Sequence, residues 1–158
     1  MTAARSAGRR RGAPPIVVRD SAIHGMGVFA TRNIRCGDYI MDYVGRIIPE
    51  DQADALYGDG NEPEGIVLLF TLENGTVIDG AVGGNDARFI NHSCKPNCET
   101  YLDGDRVTIY AISDIRKGEE LTYDYHLTVD PDSDRDAERA RYACRCGADN
   151  CRGSMLTE

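Results

Sequence analysis

The stretch that decides the reading is Arg88-Phe-Ile-Asn-His-Ser-Cys-Lys-Pro-Asn97. An apolar pair, Phe89-Ile90, anchors a run in which an amide, an imidazole and a hydroxyl follow one another. Asn91 and His92 can hydrogen-bond a polar ligand by side chain and backbone. Taken alone, His92 also suits a general base, a metal ligand or a satisfied core histidine. A hydrolase triad built on Ser93 and His92 is set aside, because adjacent residues rarely aim at each other and no nucleophile elbow is present.

Three segments outside this run carry further chemistry. Downstream lies Gly118-Glu-Glu-Leu-Thr-Tyr-Asp-Tyr125. On a strand Tyr123 and Tyr125 share one face, and two phenols there either line a narrow aromatic slot or simply pack. Upstream lies His24-Gly-Met-Gly-Val-Phe29, whose two glycines let backbone approach a ligand closely. It is not a dinucleotide fingerprint, which needs a third glycine and a following helix. Near the C-terminus, Cys144-Arg-Cys-Gly-Ala-Asp-Asn-Cys151 places three thiols within eight residues. That spacing suits one tetrahedral zinc, with Gly147 allowing the turn. A structural zinc wants a fourth ligand, and Cys94 and Cys98 are the candidates. Either would staple the C-terminus back onto the middle of the chain. Cys36 and the remaining one of that pair are expected to be buried free thiols.

Length and charge set the frame. The chain has 158 residues, 41% of them apolar, enough for one domain with a real core. The longest apolar run, Ile66 to Phe70, is far short of the roughly 20 residues a membrane span needs. The N-terminal arginines precede no apolar stretch, so no secretory signal is expected, and the six cysteines read as thiols or metal ligands rather than disulfides. Residues 1–19 hold five arginines and no acid, so the net charge of −8 leaves −13 on the rest of the chain. An acidic body suits a cationic partner and argues against phosphate-backbone binding, the arginine tail excepted. The plain alternative is solubility.

Short β-type runs dominate: Ile16-Val17-Val18, Gly27 to Ala30, Tyr39 to Met41, Val44 to Ile48, Ile66 to Leu72, Thr76 to Ile78 and Val107 to Ile112. Asn74-Gly75 and Asp103-Gly104 are hairpin signals. Asp51 to Tyr57 reads as one or two turns of helix after Pro49, and Leu127 to Arg141 as a charged loop with a short helix. Pro49 to Gly65 holds six acids and no base, which is either a solvated loop or a lure for basic tails. The sum is a mostly β domain.

Taken together and in this order, the three segments and the C-x-C-x4-C tail resemble the SET-domain family of protein-lysine methyltransferases, with a trithorax-like post-SET zinc segment. The resemblance spans about residues 16–156. It implies a β-clip fold of small sheets with a pseudoknot, in which the Arg88–Asn97 and Gly118–Tyr125 segments cross beneath the active site. It divides the chain into a flexible basic tail (1–14), a SET domain (15–126) and a post-SET linker and zinc segment (127–158).

It also implies S-adenosylmethionine as cofactor, contacted by His24, Gly25, Met26 and Gly27 largely through backbone. Arg88, Asn91, His92 and Arg145 would hold its other parts. Cys94, Cys144, Cys146 and Cys151 would bind one structural Zn2+. Tyr125 matches the catalytic tyrosine, Tyr43 a tyrosine of the lysine channel, and Tyr123 the position that sets product multiplicity. The implied substrate is a lysine of a basic protein such as a histone tail, the implied state a monomer. Its location would be nuclear in a eukaryote, cytosolic or host-delivered in a bacterium. Leu68 departs from the Tyr-x-Phe of many relatives, so a catalytically weak scaffold that binds a basic peptide is the alternative.

Overall fold

The computed structural model describes residues 12–58 and 69–157. Leu68, most of the arginine tail and the acidic stretch beyond Gly58 lie outside the described residues.

Among the described residues, ten short strands form three small sheets. The first sheet holds β1 (Ile16–Asp20), β2 (Met26–Ala30), β7 (Asn91–His92) and β10 (Glu120–Tyr123), in the order β1-β2-β10-β7. The second holds β3 (Tyr39–Tyr43), β8 (Cys98–Asp103) and β9 (Arg106–Ala111), with β9 in the middle. The third holds β4 (Arg46–Pro49), β5 (Leu69–Thr71) and β6 (Thr76–Asp79), with β6 in the middle. Both hairpin signals are realised: Gly75 joins β5 to β6 at φ +77°, and Gly104 joins β8 to β9 at φ +64°. Both angles fall in the left-handed region that glycine enters at little cost. The run expected over Val44 to Ile48 begins its pairing only at Arg46, because Val44 and Gly45 make the corner between two sheets.

Strand β9 shows why the sheets close on one core. Val107, Ile109 and Ala111 are buried while Arg106, Thr108 and Tyr110 are not, the period of two that a half-buried strand requires. These join Val28, Ile90, Ile115 and Leu121 in one cluster.

Helix α1 (Glu50–Tyr57) starts after Pro49, with Glu50 and Asp51 in its first turn, where the helix dipole favours acids. Helix α2 (Arg135–Arg141) is capped by Asp134, whose carboxylate accepts from the Asp136 and Ala137 N–H groups. No α2 residue is buried, so α2 rests on its cap and on the segments around it.

The pairing that matters most for function is parallel. β10 lies beside β7 with Thr122 opposite Asn91 and Tyr123 opposite His92. Asn97 reinforces it: its amide donates to the Glu120 carbonyl at 2.8 Å, and its side-chain oxygen accepts from the Thr122 N–H at 2.9 Å. The central motif and the tyrosine strand are thereby bound side by side.

One buried carboxylate holds α1 to the third sheet. Asp79 is fully buried and accepts from Arg46 Nη2 (2.8 Å), Tyr57 Oη (2.8 Å) and the Ala81 N–H (3.0 Å). Burial alone would raise its pKa, but the Tyr57, Arg46 and Ala81 hydrogen bonds outweigh that and hold it below the usual carboxylate value. A depressed folded-state pKa stabilises the fold above the unfolded value, near 4, and that contribution fades as pH falls through the folded value. Asp79→Asn is therefore expected to cost about 2–4 kcal/mol at pH 7. In denaturant titrations across pH, the gap to the parent protein should narrow below about pH 4.

Candidate active site and metal centre

A cavity of about 330 Å³ opens between the first sheet and the C-terminal segment. On the sheet side it is lined by Ile23, His24, Asn91, His92 and Tyr125. The far wall is Ala140, Arg141, Ala143, Cys144, Arg145 and Met155. The cavity exists only because the tail folds back over the sheet. Two backbone bridges hold that fold-back, Leu127 to Leu156 and Ala143 to Ser154. The Asp124 carboxylate adds a side-chain tie, accepting from Arg152 Nη1 at 2.8 Å and Nη2 at 3.1 Å.

Of the eight positions expected at a cofactor, His24, Asn91, His92 and Arg145 line this cavity. Gly25, Met26 and Gly27 sit in the loop and strand behind His24. Arg88 lies apart, its guanidinium over the Phe89 ring at 4.7 Å and its charge felt at Tyr43. The Asn91 amide turns inward, donating to the carbonyls of His24 (3.1 Å) and Met26 (3.0 Å) and to Glu120 Oε1 (2.9 Å). Ile23, Ala140, Arg141, Ala143 and Met155 carry no signal in the sequence, because no local pattern marks a wall assembled from segments more than a hundred residues apart.

The cavity meets a cluster of phenols. Tyr43 and Tyr123 are buried, and the Tyr123 and Tyr125 rings lie 5.1 Å apart at a 50° tilt. Phe70 packs against Tyr43 at 5.8 Å. Tyr125 belongs to both places: it lines the cavity and touches the cluster. Its hydroxyl donates to the Ile90 carbonyl, leaving the oxygen lone pairs available. Burial above all pushes the pKa of Tyr43, Tyr123 and Tyr125 well above the ordinary value for tyrosine. All three are neutral hydroxyls at pH 7.

His92 joins this cluster to the thiols. Its Nδ1 accepts from the Tyr125 N–H at 3.1 Å, so the proton belongs on Nε2, which lies 3.5 Å from Cys94 Sγ. Burial lowers its pKa to about 4 despite the Asp124 carboxylate, so the ring is neutral at pH 7.

The sulfurs of Cys94, Cys144, Cys146 and Cys151 all lie within 4.8 Å of one another. Cys94 and Cys144 are 3.8 Å apart. A tetrahedral zinc with bonds of about 2.3 Å has sulfur–sulfur edges of about 3.8 Å, so this set fits that ion. The donor chemistry fits too. The Arg152 N–H points at Cys94 Sγ (3.3 Å) and the Gly153 N–H at Cys151 Sγ (3.4 Å). Burial raises the Cys146 pKa, but the Cys94 and Ala148 N–H groups and its neighbouring thiols overcome this and hold it at about 6. Cys98 stands apart in the core, as expected of the leftover candidate. Cys36 does not match its expectation of burial. It is exposed in a turn where Ile34, not Cys36, faces the core, and its N–H donates to Asp114 Oδ1 at 2.9 Å.

Fold and site together define a SET-type architecture, and the comparisons with known proteins agree. The family model described as "SET domain" matches residues 25–126, and the chain belongs to that family. It is 41% identical over 146 residues to a histone-lysine N-methyltransferase, H3 lysine-4 specific, of Aspergillus oryzae, covering 89% of this chain and 12% of that protein. Against human histone-lysine N-methyltransferase 2B the identity is 39% over 140 residues, 84% of this chain and 5% of the other. A mouse H3 lysine-36 specific enzyme is 35% identical over 152 residues, 92% of this chain and 6% of that one. Among solved structures, a Chaetomium thermophilum Polycomb Repressive Complex 2 chain, in an autoinhibited conformation bound to S-adenosylmethionine, aligns with TM-score 0.64 at 32% identity. That alignment covers 72% of this chain and 15% of the other. The chain thus spans about an eighth or less of the length of these curated relatives.

Elemental analysis of purified protein is expected to find one zinc per chain. Cys94→Ser should bind zinc more weakly and melt at lower temperature, whereas Cys98→Ser and Cys36→Ser should keep the metal.

Proposed function

We propose that this chain is an S-adenosylmethionine-dependent protein-lysine N-methyltransferase acting on a histone-like basic tail. The observation that carries the proposal is the position of Tyr125, with one edge in the cavity and the other against Tyr123. A cofactor in the cavity and a lysine among the phenols would meet at that residue. The names of the relatives, and the cofactor bound in the Chaetomium structure, support the same reading.

The residues suit a one-step displacement. S-adenosylmethionine supplies a methyl carbon made electrophilic by its sulfonium. The cavity joins a polar end at Asn91, His92 and Tyr125 to an apolar wall at Ile23, Ala140 and Met155, a lining that suits an amino acid at one end and an adenosyl group at the other. Arg145 sits on the tail side, where it can close over the base.

The lysine must arrive neutral, which costs roughly 4–5 kcal/mol at pH 7 from a pKa near 10.4. Tyr43, Tyr123 and Phe70 make a desolvated slot that lowers that pKa, since burial disfavours the ammonium. The phenols are too weakly acidic to act as phenolate bases. Tyr125 therefore positions and polarises: its oxygen accepts from the amine and aims the nitrogen lone pair along the line of attack. The proton leaves after transfer, to solvent. Zinc on four thiolates has no open position, so Cys94, Cys144, Cys146 and Cys151 serve to hold the tail as the far wall. One chain supplies all of these groups, so a monomer suffices. In a eukaryotic cell the substrate would place the chain at chromatin. No helix among the described residues is long and apolar enough to cross a membrane.

The test is a methylation assay on two histone H3 peptides, one spanning the lysine-4 site and one the lysine-36 site named for the relatives, read by mass spectrometry. Tyr125→Phe is expected to lower kcat by about 10²–10³ while cofactor binding holds. Unchanged incorporation would discard the mechanism. Tyr123→Phe is expected to raise the share of higher methylation states, because the removed hydroxyl frees room beside the amine.

A further inference from the structure

The turn at Ser21 to Met26 carries His24 into the cavity, yet it has few apolar contacts to hold it. Ala22, His24, Gly25 and Met26 are exposed. What fixes the turn is a polar cluster at its base. Ser21 N–H donates to the Gly25 carbonyl at 2.8 Å, and Ser21 Oγ accepts from the Ile23 N–H at 3.0 Å. The same hydroxyl lies 2.7 and 2.9 Å from the two carboxylate oxygens of Glu120, ninety-nine residues away. Glu120 Oε1 also accepts from the Asn91 amide at 2.9 Å, and that amide reaches on to the His24 and Met26 carbonyls.

Among the described residues, Glu120 touches both Ser21 and Asn91, the two supports of the turn. It orients Ser21, which shapes the turn from inside, and Asn91, which grips its two carbonyls from below. Asn91 Nδ2 has two protons for three acceptors, so the Glu120 carboxylate shares one of them with the turn carbonyls and fixes the amide from the side of β10. The space is made for Glu120: a Cβ on Gly27 would stand 2.2 Å from Glu120 Oε1. This gives Gly27 a reason other than close approach to a ligand.

We infer that Glu120 is a positioning residue for the methyl donor, holding the Ser21–Met26 turn in its binding geometry through Ser21 and Asn91 without itself lining the cavity. The inference rests on the methyltransferase reading above. It assigns Glu120 a defined kinetic signature, because the peptide slot at Tyr43 and Tyr123 is formed by side chains outside this network. Removing the carboxylate should loosen the donor's half of the site and leave the acceptor's half intact.

The experiment compares the full chain with Glu120→Ala, Glu120→Gln and Ser21→Ala by calorimetric titration with S-adenosylmethionine and by steady-state kinetics with an H3 peptide. Glu120→Ala should raise Kd and KM for S-adenosylmethionine about ten-fold or more and change the peptide KM less than about two-fold, roughly the loss of one charge-assisted hydrogen-bond network. Glu120→Gln keeps an acceptor for Asn91 and a polar partner for Ser21, and should stay within about three-fold of the parent. Ser21→Ala should weaken the donor, and the double variant with Glu120→Ala should be no weaker than Glu120→Ala alone, since the two act through one network. Donor affinity unchanged in Glu120→Ala, or an equal rise in the KM for peptide, overturns the inference. If Glu120→Ala fails to fold, Glu120→Gln and Ser21→Ala carry the test: a Gln variant as impaired in both substrates as an unfolded control, or a Ser21→Ala variant with parental donor affinity, overturns it. A parent protein that binds no S-adenosylmethionine overturns the methyltransferase reading instead.

Discussion

The parallel pairing of β7 with β10 is the constraint on which the rest depends. Two residues of the central motif lie beside two of the tyrosine strand, thirty-one positions later in the chain. A parallel pair cannot be closed by a tight turn, so the chain between them must travel out and return. It does so as the β8–β9 hairpin, whose middle-sheet strand β9 supplies much of the core. The return leg then lies between β2 and β7, and that insertion puts Tyr125 next to His92 and within reach of the cavity. Asn97 supports the register, because its amide bonds two backbone groups of β10, the Glu120 carbonyl and the Thr122 N–H.

The C-terminal segment depends on this frame in a different way. It has a seven-residue helix with no buried face and only a few apolar anchors, Leu156 among them. Such a segment does not gain enough from burial to offset its ordering entropy. The Cys94 thiol, contributed from beside His92, completes a set of four sulfurs through which a metal could tie the tail to the frame. The Asp124–Arg152 pair, on the strand side of the same junction, sets the angle of approach. The far wall of the cavity therefore owes more to polar contacts such as the Asp124–Arg152 pair than to packing.

Electrostatics divide the site into two regimes. Burial keeps the three phenols in their neutral form, which suits a reaction whose nucleophile must be uncharged. At the turn near His24, a carboxylate and an amide manage backbone geometry through neutral partners. Beyond the N-terminal arginines the chain is acidic, which suits approach of a cationic tail.

Much of this was legible in the residues alone. The alternation of Tyr123 and Tyr125, the thiol spacing after Cys144, the Asn91-His92 pair and the two Gly-containing hairpins are local patterns, and local patterns report local geometry. The sequence by itself determined which atoms are available: two phenols two positions apart, three clustered thiols, and turns where β strands must reverse; the shared strand face was not realised, because β10 ends at Tyr123 and Tyr125 lies just beyond it. Only the tertiary structure decided their company. It brought the sulfur of Cys94, the ligand that the family resemblance implied, within 3.8 Å of Cys144 and sank Cys98 in the core. It left Cys36 in solvent because the neighbouring Ile34 took the inward position. It turned the Asn91 amide toward a turn and a carboxylate twenty-nine or more residues distant. Such contacts are set by how sheets stack and close, and no pattern of neighbouring residues records a distance between segments that meet only after the chain has folded.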